Sequence, residues 1–213
     1  MAASSRRVGA ETSKTRDLLL SCVQKMMLEE GYASISYRTL AARAGVTPSL
    51  VQYYFPTLDD IFVSAIRRYS ERNLDLLSKA LETRTEDPLR ALWEYSWDEA
   101  TSALMTEFMA LGNHRKSIRA EIAEVTERVR AVQLKALRAK FGARGRPDGQ
   151  LSLPAMLLMV TGFPKFLNLE ESIGVKTAHK EVVQAFEAYL DRIEPTTSPR
   201  KRTPTRRTRQ PKS

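Results

Sequence analysis

Residues 36–55 read SYRTLAARAGVTPSLVQYYF, and this stretch decides the fold of the chain. It predicts two short helices joined by a tight turn. Ser36 is placed to cap the first helix, because its hydroxyl can accept from the free N–H groups of the first turn. Gly45 is placed to end that helix, since glycine adopts the left-handed conformation without a Cβ clash. Thr47 and Pro48 then predict the start of the second helix.

The second predicted helix buries little of its own surface. Only Val51 and Phe55, four residues apart, are placed to face inward. The other side chains carry hydroxyl, amide and phenol groups that packing does not need, and they are Ser49, Gln52, Tyr53 and Tyr54. A helix–turn–helix that exposes such groups is typical of a DNA-binding motif. The alternative is an ordinary helical hairpin with solvated Tyr and Gln side chains, and the motif alone does not choose between the two.

The sequence around this motif resembles the N-terminal domain of the TetR family of bacterial transcriptional regulators. The resemblance covers about residues 15–69, roughly a quarter of the chain, without a gap. The matching pieces, in chain order, are Glu30-Gly31-Tyr32, Ser36-Tyr37-Arg38-Thr39-Leu40-Ala41, Ala44-Gly45-Val46 and Tyr53-Tyr54-Phe55-Pro56-Thr57, followed by an amphipathic helix. The resemblance implies a DNA-binding transcriptional regulator. Repression rather than activation is an expectation of the family alone.

The resemblance places the second helix of the motif in the major groove of DNA. Ser49 and Gln52 are then expected to reach base edges, and Leu50 a thymine methyl group. Arg38 matches a position from which relatives contact a base or a phosphate. Phosphate contacts are assigned to hydroxyl and phenol groups, which donate well to phosphate oxygens. The residues so assigned are Ser36, Thr47, Tyr53 and Tyr54, and the predicted interface also includes Pro48 and Lys14. Packing of Tyr53 against the first helix is the alternative for that side chain.

Two positions depart from the family pattern. Gln52 stands where a tyrosine is usual, and Leu58 stands where a lysine that often contacts a phosphate is usual. Loss of that lysine is expected to weaken the contact with the DNA backbone. We expect Arg6 and Arg7, near the N-terminus, to compensate by binding in the minor groove.

Positive charge is concentrated at the two ends of the chain, which has 213 residues and a net charge of +9. Residues 195–213 hold seven basic residues and no acid, whereas residues 17–194 are close to neutral. The composition predicts a disordered basic arm over residues 1–13 and a disordered basic tail over residues 195–213. The tail suits a nonspecific contact with DNA, and equally a solvated segment that only aids solubility.

Helical periodicity runs through the rest of the chain and predicts an all-α protein. The first helix is expected over about residues 14–30 and completes, with the motif, a three-helix DNA-binding domain over residues 14–57. Residues 58–194 are expected to form a helical domain for effector binding and dimerisation. It begins with a long helix from Leu58, and Asp87-Pro88 is expected to cap the next helical region. The further helical regions are 88–112, 116–141, about 152–168, where Pro164 is expected to cause a kink, and about 177–193.

The resemblance also implies a homodimer and an effector pocket. The last two predicted helices carry more apolar residues than one buried face needs, so we expect them to pair across a two-fold axis. Two motifs would then bind a palindromic operator. A small apolar or amphipathic ligand is expected between the helices of the second domain. The candidate pocket residues are Trp93, Trp97, Met105, Phe108, Met109, His114, Met159, Phe163 and Phe166. Each of these is also a normal core residue, and His114 can equally cap a helix end.

Other functional classes have weaker signals. His114 and His179 are the only histidines, and no metal-ligand spacing, nucleophile motif or phosphate-binding loop accompanies them. We therefore expect no enzyme, no cofactor and no metal. Cys22 is the only cysteine and is expected to be a small buried hydrophobe.

No stretch has the length of a membrane-spanning helix or the pattern of a signal peptide. We expect a cytoplasmic protein, associated with the nucleoid through its DNA binding. Two alternative functions stay open at this point. One is a nonspecific nucleoid protein that uses its basic ends, and the other is a regulator that responds to a protein partner.

Overall fold

The computed structural model describes the backbone of residues 2–195 and the side chains of residues 14–98 and 102–195. Within this part of the chain the regular structure is helical, and no strand occurs. The prediction of an all-α fold is confirmed. The predicted basic tail lies outside the described residues, apart from Pro195.

Nine α-helices and one 3-10 turn follow one another in the described chain. The helices are α1 (Ala2–Glu30), α2 (Tyr37–Ala44), α3 (Pro48–Tyr54), α4 (Leu58–Thr83), α5 (Pro88–Tyr95), α6 (Glu99–His114), α7 (Lys116–Phe141), α8 (Leu153–Ser172) and α9 (His179–Ile193). The 3-10 turn, Tyr32–Ser34, connects α1 with α2. The described residues divide into two compact units: the first joins residues up to Ala80 with Asp98–Lys135, and the second joins Leu81–Trp97 with residues from Ala136 onward. None of the described helices is long and apolar enough to cross a membrane.

α1 begins at Ala2, well before the predicted start at Lys14. The backbone therefore differs from the disordered arm that was predicted over residues 1–13. This segment contains no proline, and its one interior glycine, Gly9, costs a helix only about 1 kcal/mol. Small polar residues lower helix propensity without stopping a helix, so the composition was a poor guide to where α1 begins.

The core of the first unit gathers the inward faces of α1, α2, α3, α4, α6 and α7. Every residue predicted to face inward from α1 is buried, namely Leu19, Val23, Met26 and Met27. Cys22 is buried beside them, as predicted. Val51 and Phe55 bring α3 into this core, and Leu40 brings in α2. The three-helix arrangement expected around the motif is thus built on one continuous set of apolar contacts.

An aromatic cluster joins α5, α8 and α9 in the second unit. The Trp93 ring stacks on Phe186 with 4.6 Å between ring centroids, and Phe163 meets Phe186 edge-on at 5.5 Å. The predicted helical region 88–112 contains two helices, α5 and α6, whereas α7 has the predicted bounds 116–141. α8 continues on both sides of Pro164, and the kink there stays a prediction.

The start of α5 is capped by a residue from the far end of α9. The Glu194 carboxylate accepts from the backbone N–H groups of Leu89 and Arg90, each at 2.9 Å. Asp87, the predicted cap, makes no capping hydrogen bond. Its carboxylate pairs with Arg84 instead, because the Glu194 carboxylate already occupies the free N–H groups.

Candidate DNA-binding interface

Local hydrogen bonds build the helix–turn–helix formed by α2 and α3. The Ser36 hydroxyl accepts from the backbone N–H of Thr39 at 3.1 Å, and the Thr39 hydroxyl accepts from the N–H of Ser36 at 2.9 Å. Gly45 ends α2 with φ of 68°, in the left-handed region that glycine adopts without strain. Thr47 accepts from the N–H of Leu50 at 3.3 Å, and Pro48 is the first residue of α3. The predicted caps and turn are confirmed.

Two buried residues and one phenol fix α3 against the rest of the unit. Val51 and Phe55 are buried, as predicted. The Tyr37 hydroxyl donates to the carbonyl oxygens of Phe55 and Pro56, at 3.1 and 2.8 Å, and so holds the end of α3 to the start of α2. Burial, with a smaller contribution from the Asp60 carboxylate, raises the pKa of Tyr37 above its usual value. This role of Tyr37 was not predicted, because the carbonyls that it bonds lie 18 and 19 residues away in the chain.

The outer face of α3 carries the side chains predicted to contact DNA. Ser49, Gln52 and Tyr53 are exposed, and so are Thr47 and Pro48 at the start of the helix. Tyr53 is 75% exposed, so the alternative in which it packs against the first helix is wrong.

Tyr54 and Leu50 are less accessible than the rest of this face. Tyr54 is half-buried against the core and meets Tyr53 edge-on, with 5.4 Å between ring centroids. Leu50 is also half-buried.

The other side chains predicted to contact DNA differ in whether they already bind another group of the protein. Arg38 and Lys14 are exposed, and no described acid pairs with either of them. Ser36 is engaged in the cap, where its hydroxyl lies 2.9 Å from the Thr39 hydroxyl, which itself donates to the Ser34 carbonyl at 2.8 Å. That geometry leaves the Ser36 hydroxyl hydrogen directed at Thr39 rather than at a phosphate.

The side chains of Arg6 and Arg7 lie outside the described side chains. The backbone at both positions belongs to α1. Their assignment to the minor groove stays a prediction.

The motif is free of negative charge. No Asp or Glu occurs between Glu30 and Asp59, so nothing in α2 or α3 repels a phosphate. The motif contains two cations, Arg38 and Arg43. Arg43 pairs with Glu29 and Glu30 at the end of α1, which compensates its charge. Within the described motif, Arg38 is therefore the cation that lacks an acidic partner.

The flanks of the motif contain contacts that were not predicted. Arg16 of α1 donates to the Ser64 hydroxyl at 2.9 Å, and its guanidinium lies over the Phe55 ring at 5.3 Å. Leu58, at the position of the usual lysine, is half-buried against the core. Its place in the core explains why the position is apolar here. A phosphate contact at the start of α4 would need another side chain.

Two residues of α6 contact the connection between α1 and α2. The Glu107 carboxylate accepts from the backbone N–H of Tyr32 at 2.8 Å. The His114 ring stacks on the Tyr32 ring with 6.3 Å between centroids. These two contacts join α6 to the connection between α1 and α2.

A second attachment of this kind lies at the start of α4. The Asp59 carboxylate pairs with Arg115 and accepts from Ser117. The Ser117 hydrogen bond, together with Arg115, lowers the pKa of Asp59. Arg115 also lies over the Phe62 ring at 5.4 Å.

The nine candidate pocket residues do not share one cavity. Met105 and Phe108 line a small cavity of about 20 Å³ between α4, α6 and α7. Met159 and Phe163 line a wider cleft of about 560 Å³ between α8 and α9. Trp93 is fully buried in the aromatic cluster with the partly buried Trp97, and the exposed members are Met109, His114 and Phe166. Their spacing alone did not reveal this division, because the rotation of each helix decides which of its residues meet.

Three comparisons with known proteins bear on this arrangement. No protein-family model matches the chain. The HTH-type transcriptional repressor BepR of Brucella suis biovar 1 (strain 1330) is 26% identical over 145 residues, which cover 64% of this chain and 68% of BepR.

Several solved structures share the fold, and two of them illustrate the match. A TetR transcription regulator from Haloarcula marismortui ATCC 43049 matches with a TM-score of 0.63 and 15% identity, over 84% of this chain and 96% of that one. A transcriptional regulator from Saccharomonospora viridis, in complex with choline, matches with a TM-score of 0.70 and 15% identity, over 84% of this chain and 96% of that one.

The helices and the exposed face of α3 define a helix–turn–helix protein with a second helical region. Within that class, the chain has the fold of the TetR-family regulators. The resemblance inferred from the motif residues is thereby confirmed.

Proposed function

We propose that this chain is a sequence-specific DNA-binding regulator of transcription that acts as a repressor. The observation that carries the proposal is the exposed polar face of α3, where Ser49, Gln52 and Tyr53 point outward while Val51 and Phe55 anchor the helix. The similarity to BepR, whose name is that of a repressor, supports the sign of regulation. A bacterial regulator of this kind works in the cytoplasm, where its DNA lies.

The side chains of the motif divide into two roles toward DNA. Gln52 and Ser49 contact base edges, since an amide can bind adenine with two hydrogen bonds. Arg38, which pairs with no acid of the described chain, contacts guanine or a phosphate. Tyr53 and Thr47, which are exposed at the two ends of α3, contact phosphates through their hydroxyls. Ser36 acts indirectly in this proposal, through the cap that shapes α2.

A homodimer places two motifs on a palindromic operator. The support is an apolar row on α8 in which Leu158, Phe166 and Leu169 are exposed. Gly162 lies in the same row, and a Cβ at this position would meet no atom within 4 Å. A glycine inside a helix costs about 1 kcal/mol, and packing within the chain does not explain it. Close approach of a second copy of α8 supplies a reason.

A small ligand regulates DNA binding in this proposal by acting on α6. The cavity between α4, α6 and α7 is lined by Met105 and Phe108, and the same helix carries Glu107, which holds the Tyr32 N–H. A ligand that displaces α6 weakens this hydrogen bond and shifts the connection between α1 and α2. The two motifs of a dimer then lose the spacing that the operator requires.

Selection of bound fragments from genomic DNA tests the main proposal. The expected outcome is enrichment of one palindrome, which a fluorescence anisotropy titration then shows to bind at least about a thousandfold more tightly than random DNA. Recovery of fragments without a shared sequence, with affinity governed only by salt, would indicate a nonspecific nucleoid protein instead. Repeating the titration with metabolite extracts tests ligand regulation separately.

A further inference from the structure

The small cavity of the first unit contains one polar group without a partner. Ser70 of α4 is 1% exposed and is one of the residues that line the cavity. No described atom forms a hydrogen bond with that hydroxyl. Buried polar side chains are nearly always hydrogen-bonded, so an exception needs a reason.

Other hydroxyls of the first unit donate to the carbonyl four residues earlier in their own helix, which shows that a helical position allows a buried hydroxyl to be bonded. Thr126 of α7 lines the same cavity and donates to the Ile122 carbonyl at 2.7 Å. On α6, Thr106 bonds the Ser102 carbonyl at 3.0 Å in the same way. Both threonines make this local bond, whereas the Ser70 hydroxyl makes none with a described atom. Its hydroxyl is therefore free to hydrogen-bond a molecule inside the cavity.

The other lining residues of the cavity disfavour a charged ligand. The apolar lining includes Ile66, Met105, Phe108 and Val125, and no acidic or basic side chain is among the described lining residues. Arg67 of α4 and Glu121 of α7 form an ion pair with hydrogen bonds of 2.9 and 2.7 Å, and neither residue lines the cavity. An ion in this cavity would lose its hydration without gaining a counter-charge, which is strongly unfavourable.

We propose that this cavity binds a small uncharged ligand that is apolar apart from one oxygen, as in an aliphatic alcohol or ketone, and that the oxygen hydrogen-bonds to Ser70. This inference rests on the proposed ligand regulation and names the chemical class of the regulator. At about 20 Å³ the cavity has room for roughly one water-sized group, so a larger ligand must displace a side chain. Met105 is suited to this, because its unbranched thioether chain adopts several rotamers.

Thermal unfolding with three probes that carry the same hexyl chain tests the ligand class. We expect 1-hexanol to raise the melting temperature, whereas heptanoate and hexyltrimethylammonium at equal concentration leave it unchanged. The three probes differ only in the head group on that chain. A shift with either ion as large as the shift with the alcohol overturns the proposal, as does the absence of a shift with 1-hexanol.

Two matched substitutions test the role of Ser70. Ser70→Ala is expected to weaken 1-hexanol binding about threefold to tenfold, the effect of one lost hydrogen bond. It is also expected to raise the melting temperature of the ligand-free protein, because an unpaired buried hydroxyl is removed. Thr126→Val is the control: it removes a hydroxyl of the same cavity that is already bonded, and 1-hexanol affinity should not change. Equal loss of affinity in both variants contradicts the assignment of Ser70.

DNA affinity measured in the same samples separates this inference from the proposed function. If 1-hexanol binds with the expected dependence on Ser70 while operator affinity is constant, the ligand class stands and regulation through this cavity fails. If a palindrome is bound specifically but 1-hexanol does not bind, the DNA-binding function stands and the ligand class is wrong.

Discussion

α3 and α8 both expose more side chains than packing requires, but the chemistry of the exposed groups is opposite. On α3 the residues exposed to solvent are polar: Ser49 with a hydroxyl, Gln52 with an amide and Tyr53 with a phenol. On α8 the exposed side chains of Leu158 and Phe166 are apolar. Hydrogen-bonding groups match base edges and phosphates, whereas an apolar row matches another protein surface. The contrast therefore supports the proposal that the two helices bind different partners, DNA on α3 and a second copy of the chain on α8.

The two helices also differ in what holds them. α3 has 7 residues, of which only Val51 is buried, so its position depends on caps and on the Tyr37 hydroxyl. α8 has 20 residues, and seven of them are buried. A single lost hydrogen bond should therefore disturb the α3 surface more than the α8 surface. Changes in the exposed groups themselves should separate DNA binding from dimerisation.

The largest expected effect comes from a charge in the apolar row of α8. Leu158→Asp is expected to raise the dimer dissociation constant at least about a hundredfold, because an unpaired carboxylate would be buried in both copies. Sedimentation equilibrium measures the constant directly. Operator affinity should fall with it, since one motif alone contacts few base pairs.

Leu76→Asp is the matched control for this prediction. Leu76 of α4 is 53% exposed and Leu158 is 52% exposed, so the two substitutions add the same charge at equal accessibility. The Leu76 variant should keep the wild-type dissociation constant. If the Leu158 variant also stays dimeric, the apolar row of α8 is not the dimer interface. The proposed role of α8 in dimerisation would then be wrong.

Removal of the Gln52 amide is expected to have the next largest effect. Gln52→Ala should cost about 1–3 kcal/mol of operator binding, the discrimination of one bidentate base contact, while random DNA is bound as before. Anisotropy titrations against both DNAs measure this difference. Gln184→Ala, an exposed glutamine on α9, should alter neither affinity. An equal loss of affinity for the operator and for random DNA would indicate that Gln52 contacts a phosphate rather than a base.

Removal of the Tyr37 hydroxyl tests how much its hydrogen bonds to the end of α3 contribute to stability. Tyr37→Phe is expected to lower the free energy of unfolding by about 0.5–1.5 kcal/mol, because two carbonyls lose their donor. Urea denaturation measures the change. Tyr53→Phe removes an exposed hydroxyl from the same segment and should leave stability unaltered. Similar losses in the two variants would show that the Tyr37 hydrogen bonds contribute nothing.

Features that depend on a few neighbouring residues could be predicted from the sequence. Ser36, Gly45 and Thr47 act within five residues of their own positions, so their types and spacing determine the caps and the turn. The buried residues of α1 and α3 follow from helical periodicity for the same reason. The extent of α1 could not be predicted in this way, because no proline or helix-ending motif precedes Lys14.

Contacts between distant residues could not be predicted. Tyr32 and Glu107 are 75 residues apart, and Leu89 and Glu194 are 105 apart. Periodicity also cannot fix the rotation of a helix against its neighbours. Met105 and Met109 are one turn apart on α6, yet Met105 lines the cavity and Met109 is exposed. The pocket residues were therefore predicted as one group although the fold separates them.

The smallest expected effect concerns the buried charge that caps α5 in the unit of α8. Burial raises the pKa of Glu194 above its usual value, although the N–H groups of Leu89 and Arg90 oppose the shift. The native state then binds this proton more tightly than the unfolded chain does. The stabilisation is complete below the unfolded-state pKa and is lost as pH rises through the native pKa.

Glu194→Gln removes this titration and keeps one oxygen that can accept from the α5 N–H groups. The variant should differ from the wild type by no more than about 1 kcal/mol near neutral pH, the net value of one hydrogen bond. Urea denaturation at pH 7, 6 and 5 should show the wild type gaining stability relative to the variant as pH falls. Glu181→Gln, which alters an exposed carboxylate of α9, should follow the wild type. Parallel curves for the wild type and the Glu194 variant would mean that solvent reaches this carboxylate. The second unit would then rest on apolar packing without a buried charge, which would widen its contrast with the hydrogen-bonded α3.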